Sequence, residues 1–230
     1  ETRRRLGLPA TERLHGGLSP SLTLVATFPQ LEYPRPWPPG VHVVGPMRWE
    51  PPGAAVVSPP PGDQPLVIVA PSTSHDPRQR LVRAALEGLR GLDVRVLASL
   101  DRRPAARPMR AGRRTRLVNW MSYTHAMSDA SLVICHGGHG TVVRALESGV
   151  PLLVVPHSGD MAENAARLDW AGLGVRLPWR FASATTMRLA VERALRVSVE
   201  QGARARELAD WTAAHDGAAH AARLLEELVG

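Results

Sequence analysis

Seven residues, CHGGHGT at positions 135–141, put three glycines, two histidines and a threonine hydroxyl into one short stretch. They follow an apolar run, SLVI, and precede an amphipathic one, VVRALESGV, so they stand where a strand gives way to a helix. The first turn of a helix leaves backbone N–H groups unpaired and carries the equivalent of about half a positive charge, which attracts an anion. Glycine lets the backbone approach a phosphate closely, and Thr141 offers its hydroxyl to the same anion or to the helix cap. His136 adds a ring donor aimed at that anion; His139 is either a second donor or a wall. The stretch is a candidate phosphate cradle, and its alternative is a tight glycine turn needed only for packing. Its spacing is not the dinucleotide fingerprint, because Gly137, Gly138 and Gly140 stand too close together, and no G-K-[ST] marks a P-loop.

Asp160 is the second residue of interest. It follows LLVVP at the end of the next apolar run, so its carboxylate should stand beside the glycine turn and accept hydrogen bonds from hydroxyls. Capping the helix MAENAARL is its other role, and the two are compatible. Other chemistries find less support. Zinc needs three or four ligands at paired spacings, and Cys135, His136 and His139 crowd one turn without partners at usable spacing. A serine hydrolase needs G-x-S-x-G at such a turn, and the chain has none.

Composition bounds what surrounds these residues. The chain has 230 residues, 44% of them apolar, enough for one large soluble domain or one and a half smaller ones. Its net charge of +7 would suggest nucleic acid, but every one of its 28 basic residues is Arg, scattered among Ala, Leu, Gly and Pro. The one dense basic stretch, residues 102–116, is punctuated by prolines and lacks aromatic residues to stack on bases, so it reads as a solvated loop. The single cysteine, Cys135, excludes a disulfide framework within the chain and fits a buried thiol in a reducing cytoplasm. No apolar run reaches the ~18 residues of a membrane span. The chain opens at Glu1 without Met, and TRRRLGLP reads as a helix entered partway, so a fragment of a longer protein is expected.

The elements that must position the site follow a regular pattern. Residues 22–28 and 41–44 read as strands joined by a proline-rich connection, and residues 48–65 are too rich in proline for a helix or a central strand. Strand and helix then alternate, the mark of a parallel sheet covered by helices. Strands are expected at residues 66–70, 94–100, 115–119, 132–135 and 152–155. Helices are expected from the Asp76-Pro77 pair to Gly91, over YTHAMSDA, from Thr141 to a stop at Gly149, and over most of the chain beyond Met161. Irregular breaks are expected at residues 172–178 and near Asp216. The fold class is α/β, a doubly wound parallel sheet, Rossmann-like, with right-handed crossovers. In such a sheet ligands bind beyond the carboxyl ends of the strands, where CHGGHGT lies.

Several pieces together resemble a known family. W-M-S at 120–122, HGGHGT at 136–141 and ALESGVPLLVVPHSGDMAENAARLDWAGLGV at 145–175 are similar, in order and spacing, to the donor-binding signature of family 1 glycosyltransferases of the GT-B fold. These enzymes move a sugar from a UDP or dTDP donor to a small acceptor. The likeness runs in detail from Leu66 to Pro178, and YPRPWPPGVHVVGP looks like the segment leading out of the family's acceptor domain. It implies three parts: residues 1–46, a remnant of the N-terminal acceptor domain; 47–65, a linker; and 66–230, the donor-binding domain.

Carried over by position, the resemblance implies that Trp120 stacks on uracil or thymine, with Met121 hydrogen-bonding the base edge through its backbone. Trp120 as a mere packing residue at a strand end is the alternative. His136, Gly138, Gly140 and Thr141 would hold the diphosphate, with Ser72 or Thr73 reaching it from the opposite side, and Asp160 would bind hydroxyls of the transferred sugar. No metal or cofactor is required where His136 and the helix end supply the positive field. The implied function is inverting transfer to a hydroxyl of a small hydrophobic acceptor such as a secondary metabolite, with an N-terminal acceptor domain as partner; neither nucleic acid nor a membrane span is expected.

Three positions depart from the pattern. Met161 stands where Gln is common beside the sugar, Ser72 replaces a glycine, and Arg144 replaces a Glu that often binds ribose hydroxyls. The last change favours dTDP, whose deoxyribose lacks one hydroxyl. The family's general base, a histidine early in the acceptor domain, has no match in His15 or His42, so no base is assigned and the chain alone is expected to bind donor without transferring sugar. A sugar-nucleotide epimerase and a non-catalytic nucleotide-sugar-binding module are the competing readings.

Overall fold

A computed structural model of the chain describes residues 2–9, 19, 21–50, 52–71, 76–100, 109 and 111–230. After a short helix α1 (Thr2–Arg5), two strands, β1 (Thr23–Val25) and β2 (Val41–Val43), pair in parallel as a small sheet of their own. The expected strand over 22–28 is thus three residues long. Phe28 beyond it is fully buried and packs on Trp211, their rings 6.2 Å apart. The described residues of the proline-rich 48–65 stretch carry no helix or strand.

The main sheet contains β3 (Leu66–Ala70), β4 (Arg95–Ser99), β5 (Thr115–Val118), β6 (Leu132–Cys135), β7 (Leu152–Val154) and β8 (Gly174–Arg176). They are all parallel, in the spatial order β5-β4-β3-β6-β7-β8. Counted from β3, that is the order 3-2-1-4-5-6 of the doubly wound nucleotide-binding fold, with its switch point between β3 and β6.

The connecting helices are α2 (Arg80–Gly88), α3 (Tyr123–Ser128), α4 (His139–Glu147), α5 (Met161–Trp170), α6 (Ala184–Ala214) and α7 (Gly217–Val229). Strand β3 is buried throughout, and its side chains alternate between two cores. Leu66 and Ile68 join α3, α4, α5 and the second half of α6, while Val67 and Val69 join α2 and the first half of α6. A strand covered on both faces has no position for a polar side chain, which is why its sequence is a continuous apolar run. Each such Val, Leu or Ile contributes up to about 1.5–3 kcal/mol of transfer free energy. Helix α6 serves both faces, with Met187, Val191 and Ala194 in one core and Ala205 and Leu208 in the other.

Three expectations need correction. Helix α2 begins at Arg80 and not at Pro77; Gln79, at φ 52°, turns the chain into it, and Asp76 caps from outside, accepting the N–H groups of Arg80 and Leu81 at 2.9 Å each. Helix α4 begins at His139, two residues before Thr141. The supposed irregular break at 172–178 contains the edge strand β8, which is only three residues long and includes a Gly and an exposed Arg, so no apolar alternation announces it. Gly174 is required there because a Cβ would meet Leu152 O at 2.7 Å. The break at Asp216 is a helix cap, with Oδ1 accepting Ala218 and Ala219 N–H at 3.0 Å. Helix α7 then starts against Pro46 and Gly45 and leaves Leu225, Leu228 and Val229 exposed at its far end. Among the described residues no helix is long and apolar enough to cross a membrane.

Candidate functional site

Because all six strands of the main sheet are parallel, their carboxyl ends share one edge. The turn before α3, the glycine turn before α4 and Asp160 before α5 all lie there. The chain leaves β6 at Cys135, a fully buried thiol whose pKa burial pushes up to about 12. Gly137 then adopts φ 85°, its N–H donating to Cys135 Sγ at 3.3 Å. A side chain at Gly137 would meet Val154 Cγ1 at 2.6 Å, so the fold itself demands this glycine. Gly138 and Gly140 differ. Gly138 has an ordinary extended φ of −61°, Gly140 lies in the first turn of α4, and a Cβ at either would meet nothing within 4 Å. Neither backbone strain nor packing explains them, since the space beside each is open. The first backbone bonds of α4 run from Thr141 and Val142 N–H to Gly138 O at 3.1 Å, so the N–H groups of His139 and Gly140 precede the helical ladder.

The two histidines of the turn are placed differently. The His136 side chain is 1% exposed, with Nε2 3.6 Å from the Asp76 carboxylate that caps α2 and the ring 5.4 Å from that of Trp179. Burial pushes the Asp76 carboxyl up, but the neighbouring His136 ring and the Leu81 and Arg80 N–H groups outweigh it and hold the pKa below the usual range. His136 was expected as a ring donor aimed at the anion; its ring lies inside, behind the turn and beside Asp76. His139 is the exposed one. Ser72 and Thr73, expected on the opposite side, lie outside the described residues, as does His15.

His139 and Asp160 line a cavity of about 320 Å³ between α4, α5 and residues 25–32, with Thr27, Glu32, Asn164 and Arg167 among its walls. Asp160 occupies the cap position of α5, yet its side chain makes no capping bond; it is exposed and takes a hydrogen bond from Asn164 Nδ2 at 3.2 Å. The same Asn164 nitrogen donates to Gly137 O at 2.8 Å, tying the carboxylate to the glycine turn. Glu32 is held between Arg35 and Arg167 on the cavity's N-terminal side. Met161, by contrast, is 5% exposed beneath Gly137, so its thioether does not face the cavity.

Trp120 is half-buried, its ring 6.0 Å from that of Tyr123 at 64°. Met121 is fully buried in the core, which leaves only its backbone at the edge. Arg144, where the resemblance has a carboxylate, pairs with Glu50 of the proline-rich stretch at 2.9 Å and donates to Trp49 O at 2.7 Å. Sequence reading missed Asn164, which the four-residue spacing from Asp160 would have placed on the same helix face. It also missed Trp179, whose ring gathers His136, His157 and Arg80 although it sits in an irregular turn that no periodicity marks.

Residues 83–228 match the family described as erythromycin biosynthesis protein CIII-like, C-terminal domain. The chain belongs to that family. Its place is therefore the C-terminal half of a family 1, GT-B glycosyltransferase. Among curated proteins this CIII-like chain is 33% identical to 4'-demethylrebeccamycin synthase of Lentzea aerocolonigenes over 247 residues, covering 99% of the chain and 55% of the relative. It is 34% identical over 187 residues to zeaxanthin glucosyltransferase of Pseudescherichia vulneris, covering 80% of the chain and 45% of the relative. The chain thus spans about half the length of these relatives. In fold it matches the calicheamicin glycosyltransferase CalG4 with a TM-score of 0.77 at 23% identity, covering 100% of this chain and 57% of that one. The spinosyn rhamnosyltransferase SpnG complexed with thymidine diphosphate matches with a TM-score of 0.71 at 24% identity, covering 92% and 59%.

Proposed function

We propose that this CIII-like chain is the donor-binding half of an inverting glycosyltransferase that takes a dTDP-sugar in preference to a UDP-sugar and serves a small hydrophobic alcohol. The observation that carries this reading is the pair of glycines, Gly138 and Gly140, which stand at the N-terminus of α4, at the switch point of the sheet, where neither φ nor packing calls for glycine. The diphosphate lies on the first N–H groups of α4 and on the Thr141 hydroxyl, with His136 holding the turn from behind; Ser72 or Thr73 stays a further candidate ligand from the sequence alone. The base stacks on Trp120 and meets the Met121 backbone. β5 and β6 are separated by β4 and β3, about 14 Å at the usual strand spacing, a distance comparable with an extended nucleoside diphosphate. Asp160 faces the transferred sugar across the cavity beside His139.

In the reaction the acceptor oxygen attacks the anomeric carbon as the bond from that carbon to the diphosphate oxygen breaks. The electron pair leaves with the diphosphate, and the alcohol proton passes to a base in the acceptor domain. Charge grows on the diphosphate in the transition state, and prepositioned N–H groups stabilise it there more than in the ground state. Residues 1–46 are read as the edge of the acceptor domain and 47–65 as the linker, so the chain alone binds donor and transfers nothing.

Calorimetric titration of the chain with dTDP, UDP and their sugars tests this. Saturable binding tighter for dTDP than for UDP is expected. Absence of binding to any nucleotide would refute the reading, and sugar transfer by the isolated chain would refute the division of labour.

A further inference from the structure

The proline-rich stretch is docked by polar ties to the two elements read above as the nucleotide site. The Glu50 carboxylate, 21% exposed, accepts Tyr123 N–H at 2.9 Å and the Ser122 hydroxyl at 3.0 Å, and pairs with Arg144 at 2.9 Å. Ser122 N–H donates to Ala55 O at 2.8 Å. Arg144 donates to Trp49 O at 2.7 Å and to Thr124 Oγ1 at 3.4 Å. One turn further along α4, Arg48 Nε lies 3.6 Å from Glu147.

These ties fall at telling places. Ser122 and Tyr123 follow Trp120 and Met121 with no residue between, so whatever holds 122–123 sets where the base-binding turn points. Arg144 sits on the same nine-residue helix whose first turn forms the phosphate cradle. One carboxylate from a third, irregular segment therefore bridges the two ends of the nucleotide site. The segment's own prolines keep it from forming helix or sheet and reduce the conformational freedom it loses on docking.

We propose that Glu50 and Arg144 are positioning residues: their ion pair clamps the proline-rich stretch across α3 and α4 and fixes the base-binding turn relative to the phosphate cradle, so that nucleotide binding and docking of this stretch reinforce each other. The proposal rests on the nucleotide reading given above. Linkage makes it reciprocal, because a ligand that requires the docked arrangement must stabilise that arrangement by the same factor by which docking tightens the ligand. In a two-domain enzyme the same clamp transmits donor binding to the segment joining the domains.

The test uses the full 230-residue chain, wild type and Glu50→Gln, Arg144→Gln and the double variant, with dTDP as probe. Affinity is read by calorimetry, melting by circular dichroism, and exchange of the Ser122 and Tyr123 amides by hydrogen-exchange mass spectrometry. Each single variant should weaken dTDP about fivefold to tenfold, and the double variant should be no worse than about twofold beyond the weaker single, because the two residues act as a unit. Saturating dTDP should slow exchange at 122–123 in the wild type and fail to do so in Glu50→Gln. Single variants that fold and bind dTDP as tightly as wild type overturn the clamp, as do losses that multiply in the double variant. So does exchange at 122–123 that ignores dTDP in the wild type. A wild type that binds neither dTDP nor UDP overturns the nucleotide reading and the clamp with it. Should Glu50→Gln melt below the assay temperature, Arg144→Lys, which keeps the charge but not the fork that reaches both Glu50 and Trp49 O, carries the same comparison.

Discussion

Two glycines of the 137–140 turn, Gly137 and Gly140, should separate cleanly when each is replaced by alanine. At Gly137 the backbone sits at φ 85° and a Cβ would approach Val154 Cγ1 to 2.6 Å and Met161 O to 3.2 Å. The left-handed backbone costs an alanine about 1–2 kcal/mol and overpacking about 1–3 kcal/mol, together roughly 2–5 kcal/mol. For a chain of this size that lowers the melting temperature by about 4–20 °C. At Gly140 the new methyl group meets nothing within 4 Å, and the residue lies in a helix, where alanine is favoured by up to about 1 kcal/mol. Gly140→Ala should therefore melt no lower than wild type. On the reading that a diphosphate sits on the first N–H groups of α4, the added methyl group crowds it and weakens charge-assisted bonds that contribute about 1.5–3 kcal/mol each. The dissociation constant for dTDP should rise at least about tenfold. Differential scanning calorimetry and isothermal titration on the two variants decide the matter. A Gly140→Ala protein that binds dTDP within about twofold of wild type, or a Gly137→Ala protein that melts with wild type, would refute the division into a structural and a ligand-facing glycine.

Further outcomes follow from the same site. Trp120→Ala should weaken dTDP by the loss of one stacked base, about 1–3 kcal/mol or roughly fivefold to a hundredfold, and abolish any nucleotide-dependent quenching of that tryptophan; unchanged affinity would leave Trp120 as a packing partner of Tyr123 only. Asp160→Asn should leave dTDP binding as it is and weaken a dTDP-sugar, and equal losses for both ligands would show that the carboxylate does not face the sugar. Glu50 and Asp76 both titrate below their ordinary values of 4.5 and 3.8: burial raises each, but hydrogen bonds, and the charges of Arg144 at Glu50 and His136 at Asp76, outweigh it. With folded values depressed, the unfolded chain binds more protons as acid is added, so this stability is complete above the ordinary values and lost as pH falls through the folded ones. Urea midpoints should hold steady near neutrality and fall below about pH 4, with a shallower fall in Asp76→Asn; a midpoint flat down to pH 3 would contradict both shifts.

Much of this is legible in the amino-acid sequence. The buried strands β3, β6 and β7 are continuous apolar runs because both faces of a parallel sheet are covered, and the glycine turn announced itself by composition. Strand β8 was not legible, since three residues with a glycine and an arginine carry no period; pairing with β7, the burial of Val175 and the Gln201 bond to Gly174 O hold them in place. The start of α2 was misplaced because Asp76-Pro77 has the composition of a first turn, whereas the Asp76 carboxylate reaches forward to cap a helix that begins at Arg80.

The sequence by itself determined the layered α/β class, the alternation of strand and helix and the place of the glycine turn, because these depend on hydrophobic period and local backbone freedom. Which of its two histidines is inside and which outside, which of its glycines the fold needs, and that a linker glutamate meets an arginine on α4 were decided only by the tertiary structure. Those are questions of what lies opposite a side chain from 17 residues away, as Val154 from Gly137, to 95, as Trp49 from Arg144, and the local pattern carries no record of it.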